Sequence, residues 1–346
     1  MSTSIRPAPS SQGGWRRLGR LALDTSRAEW GATHAALPVI ESLGDDRFAL
    51  YLSLRDREGR ARIGRSVLTM SDTPRLEPLD RDPILDLGPL GAFDDSGVTT
   101  SCLVTAGRDR FLYYTGWSQG VTVPFYLAAS VAISQDGGPF ERVSLAPLLE
   151  RSAVDPFLTA SPFVLVGHGR WRMWYVSATE WRTTETRPRH YYHIRYAESA
   201  DGLVWQRDGR VCVDYETDDE HAFARPWVMR DADLYRMWFA VRGERYRIAL
   251  AESSDGVAWT RRDQLGLTAE IRVAGNDFAA DRAVDIGRGL DRLDDRDCLT
   301  GAHAASCVRR LDEHEVAERL LGVVGDADRH GAVGLEPRPL VALEEA

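Results

Sequence analysis

The sequence predicts an all-β fold, a β-propeller with four recognisable blades, because short strand-like segments repeat along the chain. A segment over 172–205 contains Met-Trp-Tyr and then Ala-Glu-Ser-x-Asp-Gly-x-x-Trp. It returns over 236–259 as Met-Trp-Phe and the same nine-residue pattern. A weaker copy lies over 112–140. The two strong Asp-Gly pairs are 54 positions apart, a spacing typical of one small sheet in a radial array.

Each repeat has the chemistry of a small antiparallel sheet. Met-Trp-Tyr is an apolar, aromatic run of strand type, and Tyr-x-Ile-x-Tyr-Ala over 192–197 alternates as a half-buried strand does. Asp-Gly supplies turn residues for a tight hairpin, and Trp205 or Trp259 would begin the outer strand. One such sheet cannot bury both faces, so neighbouring sheets are required.

The chain divides into a lead, a propeller and a tail. Residues 1–14 are rich in Ser, Pro and Gly and are expected to be disordered. The propeller is expected over 15–265, where a strand at 15–23 would close the ring by joining the last blade. The four blades are expected over 33–71, 94–143, 155–213 and 219–262.

The segment 266–346 differs from the rest of the chain. Phe278 is its single aromatic residue, and neither the Met-Trp strand nor the Asp-Gly hairpin appears. Residues 312–321 read as a helix with Asp312 as N-cap. We expect an atypical, partly helical or disordered tail: a degenerate last blade, an extension, or the product of a shifted reading frame.

Composition excludes several function classes. The net charge of −9 argues against general nucleic-acid binding. No apolar run is long enough for a membrane span, and no secretory signal is recognisable, so a cytoplasmic protein is expected. All 43 basic residues are Arg, which excludes a P-loop lysine and a Schiff-base lysine. No cofactor is expected, and the oligomeric state is left open.

Acidic residues open the last three blades. Asp94 and Asp95 lie at the start of the second blade, Asp155 at the start of the third and Glu220 at the start of the fourth, each just before a short apolar strand. Because the inner strand of every blade lines the central channel, acids at equivalent positions are expected to converge around one axial pocket. The alternative is that they cap turns, since Asp is a common turn residue.

Several segments within about residues 15–265 carry a family resemblance. They are His34-Ala35-Ala36-Leu37-Pro38, Tyr51-Leu52-Ser53-Leu54-Arg55-Asp56, Phe93-Asp94-Asp95-Ser96-Gly97-Val98, Tyr113-Tyr114-Thr115-Gly116-Trp117, Ala224-Arg225-Pro226 and the two Met-Trp segments. They resemble the five-bladed propeller glycosidases, which include arabinanases, β-xylosidases, invertases, levansucrases and mannoside phosphorylases. More closely, the chain resembles glycosidase-like propeller proteins associated with bacterial surface-polysaccharide synthesis. The resemblance implies a five-bladed-type β-propeller, of which four blades are recognisable.

The chain departs from this family in two places. The glycosidases usually carry an Asp on the first inner strand, where this sequence has Thr33-His34. A fifth blade is not recognisable. The resemblance is therefore more specific for the fold than for the reaction.

Glycoside hydrolysis requires one carboxyl group to protonate the leaving oxygen and another to activate water or attack the sugar. The candidates are Asp94 or Asp95 as base, Glu220 as acid, and Asp155 to orient substrate or tune a neighbouring pKa. The remaining candidates are expected to bind substrate. His34 and Arg225 occupy equivalent-looking inner-strand positions, and Arg225 could hold a carboxylate or phosphate or form a salt bridge to one of the acids.

Side chains at the ends of second strands are candidates for the pocket mouth. Arg55 and Arg242 either point into the mouth or solvate its rim. Glu180-Trp181 and Trp117 end the matching strands of two blades, where a Trp ring could stack on a sugar or pack in the core.

We therefore expect a carbohydrate-active, glycosidase-like protein that hydrolyses or otherwise processes a glycan or glycoconjugate through axial carboxylates. The alternative is a non-catalytic glycan-binding or scaffold propeller in polysaccharide assembly. No metal site is expected, because the residues that could suggest zinc lack paired Cys-x-x-Cys spacing. Those residues are Cys298, His303, Cys307 and His314.

Overall fold

The Asp-Gly turn of the repeat is closed by hydrogen bonds from its own side chains. The Ser199 hydroxyl accepts a bond from the backbone N–H of Gly202 (2.9 Å). Asp201 Oδ1 accepts from the next two backbone N–H groups (2.8 and 2.9 Å). Ser253 and Asp255 repeat the arrangement in the fourth blade. Gly202 has φ 77°, so the predicted positive-φ turn residue is confirmed.

The computed structural model describes residues 15–17, 21–71, 74–184, 188–231, 233–243, 246–263 and 307–309. Their strands form four consecutive blades of four strands each. Blade I contains β2 (Thr33–Gly44), β3 (Arg47–Arg55), β4 (Ala61–Thr69) and β5 (Arg75–Leu76). Blade II contains β6 (Gly97–Ala106), β7 (Asp109–Gln119), β8 (Phe125–Ser134) and β9 (Glu141–Arg142). Blade III contains β10 (Thr159–Gly167), β11 (Arg170–Arg182), β12 (Arg189–Ser199) and β13 (Gln206–Val213). Blade IV contains β14 (Ala222–Asp231), β15 (Leu234–Arg242), β16 (Tyr246–Ser253) and β17 (Thr260–Arg261).

Every blade is an antiparallel meander, and the described residues contain no α-helix. Two single parallel bridges, Ala61 to Gly97 and Tyr192 to Ala222, connect blade I to II and blade III to IV. The inner strands begin at one end of the ring, which we call the top face. The propeller prediction is confirmed, and the four blades lie where the sequence places them.

Each inner strand carries a one-residue β-bulge after its first few residues, and β2 contains two further register shifts. In three blades the bulge lies at a non-glycine residue of positive φ that precedes a proline: Leu37 (56°), Ser161 (47°) and Arg225 (55°). In blade II the extra residue is Ser101. Such a conformation costs on the order of 1–2 kcal/mol for a residue with a side chain, so surrounding contacts must maintain it.

Hydrogen bonds connect these four bulges to one another, and we call the connected set the bulge ring. The Thr100 hydroxyl donates to the carbonyl of Leu37, which joins blade II to blade I. The backbone N–H of Ser161 donates to Thr115 Oγ1 (2.8 Å), which joins blade III to blade II. Arg225 Nη1 donates to the carbonyl of Thr100 (2.6 Å), so a blade IV side chain reaches blade II.

The core lies between the facing surfaces of adjacent blades. Trp174 is fully buried in a cluster that spans blades II, III and IV, and its Nε1 donates to the carbonyl of Gly256 in the next blade (2.8 Å). Tyr113 makes the equivalent bond to the carbonyl of Gly202 (2.9 Å). Burial of a large aromatic side chain stabilises by about 2–3 kcal/mol, and these bonds satisfy its polar atom.

The chain ends are described only in part. Within the predicted strand 15–23, β1 (Trp15–Arg17) pairs antiparallel with β18 (Cys307–Arg309). The rest of the tail, with its predicted helix over 312–321, and the lead 1–14 lie outside the described residues.

The repeat turn provides a test of packing between blades. Gly202→Ala and Gly107→Ala both place a side chain at positive φ. A Cβ at Gly202 would lie 2.7 Å from the Trp171 ring, whereas a Cβ at Gly107 meets no atom within 4 Å. We expect a loss of about 1–2 kcal/mol for Gly107→Ala and about 1–3 kcal/mol more for Gly202→Ala, measured by urea unfolding. Equal losses would contradict a packed interface at this turn.

Candidate functional site

Three of the four predicted carboxylates are buried where a blade begins, and each faces an arginine from the outer strand of its own blade. Their residues are 0–2% exposed. We call these the blade ion pairs: Asp94 with Arg142 (2.8 Å), Asp155 with Arg207 (2.7 Å) and Glu220 with Arg261 (2.8 and 2.9 Å).

The sequence contains a signal for these pairs that the predictions above did not use. Each arginine lies six positions after the Asp of the Asp-Gly turn in its blade, so the repeat extends to Asp-Gly-x-x-aromatic-x-Arg. The arginine positions are Arg142, Arg207 and Arg261. An arginine that recurs with the repeat in blades II, III and IV indicates a structural partner for the recurring acid.

Further donors surround Asp155. The Tyr175 hydroxyl donates to its two carboxylate oxygens (3.1 and 3.2 Å), and Arg195 Nη1 lies 3.3 Å from Oδ1. Tyr114 occupies the corresponding place beside Asp94 (3.2 Å). Burial and the adjacent carboxylate raise the pKa of both tyrosines, so their hydroxyls remain donors at neutral pH.

Glu220 is held as an anion. Arg261 binds it with two nitrogens, Arg247 contacts Oε1, and the backbone N–H of Glu216 donates to Oε2 (2.8 Å). Burial by itself raises the pKa of Glu220, but these hydrogen bonds outweigh it and hold the pKa below its usual range. A general acid requires the opposite shift.

Asp95 is half-buried and closes a turn. Its Oδ2 accepts from the backbone N–H of Gly91 (3.0 Å), and its Oδ1 accepts from the Ser96 hydroxyl (2.9 Å). This is the turn-capping arrangement that the sequence left as the alternative.

The expectation that the acids converge on the channel is therefore not confirmed. A buried carboxylate requires a cation or several donors, and the arginines of the outer strands supply them. The catalytic roles assigned to Asp94, Asp95, Asp155 and Glu220 stay predictions that this geometry does not favour.

Arg225 is the predicted residue that does reach across the channel. His34 and Leu37 both have positive φ and lie in irregularities of β2, but Leu37 precedes a proline as Arg225 does and is therefore its counterpart in blade I, rather than His34 as the sequence suggested. The structure gives Arg225 no ion pair with a described carboxylate, so the salt bridge that the sequence left as an alternative is not found among those residues. Burial lowers the pKa of Arg225 to about 10, against a smaller effect of Cys102, and the side chain stays charged at neutral pH.

His34 and Arg55 lie together at the top face. Both line a cleft between blades I and II, whose other walls are Ala36, Leu37, Ser53, Ala61 and Thr99. His34 is exposed and Arg55 is half-buried. The structure thus places two predicted binding residues at one cleft.

Trp181 belongs to an aromatic cluster at the end of β11. Its ring meets Phe125 (centroids 5.4 Å apart) and His190 (5.5 Å) edge-on. Beside it, the half-exposed Glu180 contacts Arg182. Trp181 is half-buried, so part of the indole remains open to solvent next to charged groups.

Trp117 and Arg242 are the remaining residues predicted to bind substrate. Trp117 is buried against Gly97, where an added Cβ would lie 1.9 Å from Nε1, so core packing is the better account of this ring. Arg242 ends β15 and is half-buried, and its backbone carbonyl accepts a bond from His221 (3.0 Å).

Within the described part of the chain, no group of three or more His, Cys, Asp and Glu side chains is arranged to hold a metal ion. Cys102 and Cys212 are buried thiols, and burial raises the pKa of each to about 12. No helix among the described residues is long and apolar enough to cross a membrane. Cys298, His303 and His314 lie outside the described residues.

Relatives in sequence define the family of this chain. It is 41% identical over 268 residues to the uncharacterized protein Rv1502 of Mycobacterium tuberculosis H37Rv. The aligned region covers 77% of this chain and 88% of that protein. The chain therefore belongs to the family of Rv1502. No family model matches it.

Solved structures define the class of fold. A glycoside hydrolase superposes with a TM-score of 0.54 at 15% identity, covering 72% of this chain and 78% of that chain. Zg3597, a family 117 glycoside hydrolase of Zobellia galactanivorans, gives 0.53 at 13% identity, covering 74% and 76%. At these identities the likeness concerns the fold, which is that of the glycoside hydrolase propellers.

The blade ion pairs predict a pH-dependent stability. Glu220→Gln leaves Arg261 without its buried anion and is expected to lower the free energy of unfolding by about 3 kcal/mol at pH 7. Because the folded-state pKa of Glu220 lies below the ordinary value of 4.5, its contribution is present above that pH and is lost as the pH falls.

Urea unfolding at pH 7 and pH 4 measures this dependence, with Glu58→Gln as the matched control. Glu58 pairs with Arg60 at the surface (3.3 Å), so its loss should cost less than about 1 kcal/mol at either pH. A Glu220→Gln effect no larger than that of the control would contradict a structural ion pair.

Proposed function

We propose that this chain is a carbohydrate-binding propeller of glycosidase-like fold, which holds a glycan or glycoconjugate at the top face. One observation carries this choice between the two functions expected from the sequence. Asp94, Asp155 and Glu220 are buried in blade ion pairs. A carboxyl group that cleaves a glycosidic bond must reach the sugar, and these groups are occupied by arginines of their own blades.

Binding is supported by side chains that remain accessible. Trp181 offers part of an indole face, and Glu180 and Arg182 beside it offer polar groups for hydroxyls. Apolar C–H faces of sugars stack on such rings, and neighbouring charged groups accept or donate hydrogen bonds. His34 and Arg55 extend the polar surface at the cleft between blades I and II.

A second candidate is glycoside hydrolysis or another processing reaction on the same glycan. Two observations favour it. The fold is shared with glycoside hydrolases, and the Glu180 side chain, near the end of β11, is 41% exposed. A role in surface-polysaccharide synthesis and a cytoplasmic location are part of the proposal for either candidate and rest on the sequence resemblance.

Removal of the Trp181 ring tests the binding proposal. Trp181→Ala should weaken binding to the best glycan from an oligosaccharide array about three- to tenfold, as expected for loss of one stacking contact. Trp227→Ala is the matched control, because Trp227 is also partly exposed but packs against Trp238 on β15. Equal affinity of wild type and Trp181→Ala would argue against this platform.

A hydrolysis and phosphorolysis screen on aryl glycosides and oligosaccharides separates the two candidates. We expect no turnover from folded wild-type protein. Turnover that is abolished by Glu180→Gln but not by Asp95→Asn would establish the enzyme with a different carboxylate. Turnover lost in Asp95→Asn and Glu220→Gln, with both variants folded, would restore the predicted pair.

A further inference from the structure

We infer that the bulge ring forms a subsite for an anionic group of the carbohydrate, a carboxylate or a phosphate, and that Arg225 binds it. This inference rests on the proposed function and specifies its ligand class. Arg225 is the one charged residue among the four bulge positions. The other bulge positions carry Leu37, Ser101 and Ser161.

Arg225 differs from the other interior arginines described above. Arg142, Arg207 and Arg261 each face a carboxylate of their own blade. Among the described residues, no carboxylate forms an ion pair with Arg225, and its single hydrogen bond goes to a neutral carbonyl. Arg225 is half-buried, and a guanidinium partly withdrawn from water without an anion is unfavourable, so a bound anion would offset part of that cost.

The backbone of Arg225 adopts an energetically unfavourable conformation. The residue adopts φ 55° immediately before Pro226, within a bulge. Bulges beside functional sites redirect side chains, and conformations of this kind persist where surrounding structure over-determines them. Here the side chain is aimed from blade IV past blade III to the Thr100 carbonyl of blade II.

The Thr100 contact orients the guanidinium and leaves donors for a ligand. Arginine carries five N–H donors, and the structure accounts for one of them in Arg225. Arg225 is half-buried as a residue, and none of its nitrogen atoms is both fully buried and without a partner. A planar fork of this kind matches two oxygens of a carboxylate or phosphate.

The other bulge positions of the two preceding blades are neutral. Ser101 and Ser161 occupy them, and Thr115 Oγ1 contacts the Ser101 hydroxyl and the Ser161 backbone N–H. Neutral side chains at these positions add no negative charge that would oppose a bound anion. The chain as a whole has a net charge of −9, so general attraction to its surface does not favour anions. Binding would therefore report a local site.

Equilibrium binding to the full chain at low ionic strength tests the subsite. The probes are glucuronate, glucose 6-phosphate, inorganic phosphate and, as the neutral comparison, glucose, each measured by calorimetry. We expect at least one anionic probe to bind about tenfold or more tightly than glucose, since hydrogen bonds to a charged group are stronger than those between neutral groups. Glucuronate and the phosphates distinguish the two kinds of anion.

Variants assign the effect to Arg225. Arg225→Gln should reduce anion affinity about tenfold or more without changing the affinity for glucose, and Arg225→Lys should retain part of it for phosphate. Arg108→Gln is the control, because it makes the same charge change at an exposed residue paired with Asp136. If Arg225→Gln does not fold, Arg225→Lys, which preserves the charge and a donor for the Thr100 carbonyl, provides the comparison.

The outcomes separate this inference from the proposed function. Anion binding by wild type that falls in the Arg225 variants and persists in Arg108→Gln supports the subsite, even where no oligosaccharide binds. Binding of neutral glycans with no preference for the anionic probes overturns the subsite and leaves the proposed function in place. Anion affinity unchanged by either Arg225 variant also overturns it.

Discussion

The architecture depends on a carboxylate that is buried where a blade begins and neutralised by an arginine where that blade ends. The pairs of Asp155 with Arg207 and of Glu220 with Arg261 connect the loop before an inner strand to the outer strand of the same meander. Because an unpaired buried charge is costly, blades II, III and IV are stabilised when the segment before the inner strand meets the outer strand of the same blade. The same requirement removes these carboxylates from the set of groups that can reach a ligand.

A second constraint acts between blades. Aromatic side chains of one blade donate to the turn of the next, as Trp174 does to Gly256, while the bulge ring connects the inner strands around the axis. Strain at Leu37, Ser161 and Arg225 is offset by this network. Arg225, the charged residue in that network, has no carboxylate partner among the described residues. The same side chain can therefore connect two blades and bind the proposed anion.

The fold and the arrangement of the acids favour different functions: the fold is shared with glycoside hydrolases, whereas three of the four acids are paired with arginines. Function, however, depends on the groups that face the ligand, and the accessible groups here are Trp181, Glu180, His34 and Arg55 rather than the acids at blade starts. The proposed carbohydrate-binding function, carried by aromatic and basic side chains on a glycosidase-like fold, would account for both observations.

The sequence by itself determined the blades, because their signals are local. Strand alternation, the Asp-Gly turn and its recurrence are all contained within one repeat, and they located four blades correctly. It also identified Arg225, Trp181 and the acids as residues of interest. Only the tertiary structure decided what these side chains do, because their partners lie far away in the chain. Asp155 meets Arg207 across 52 residues, and Arg225 meets Thr100 across 125. Whether an acid faces a sugar or an arginine depends on which strands the propeller brings together, and no local pattern contains that information.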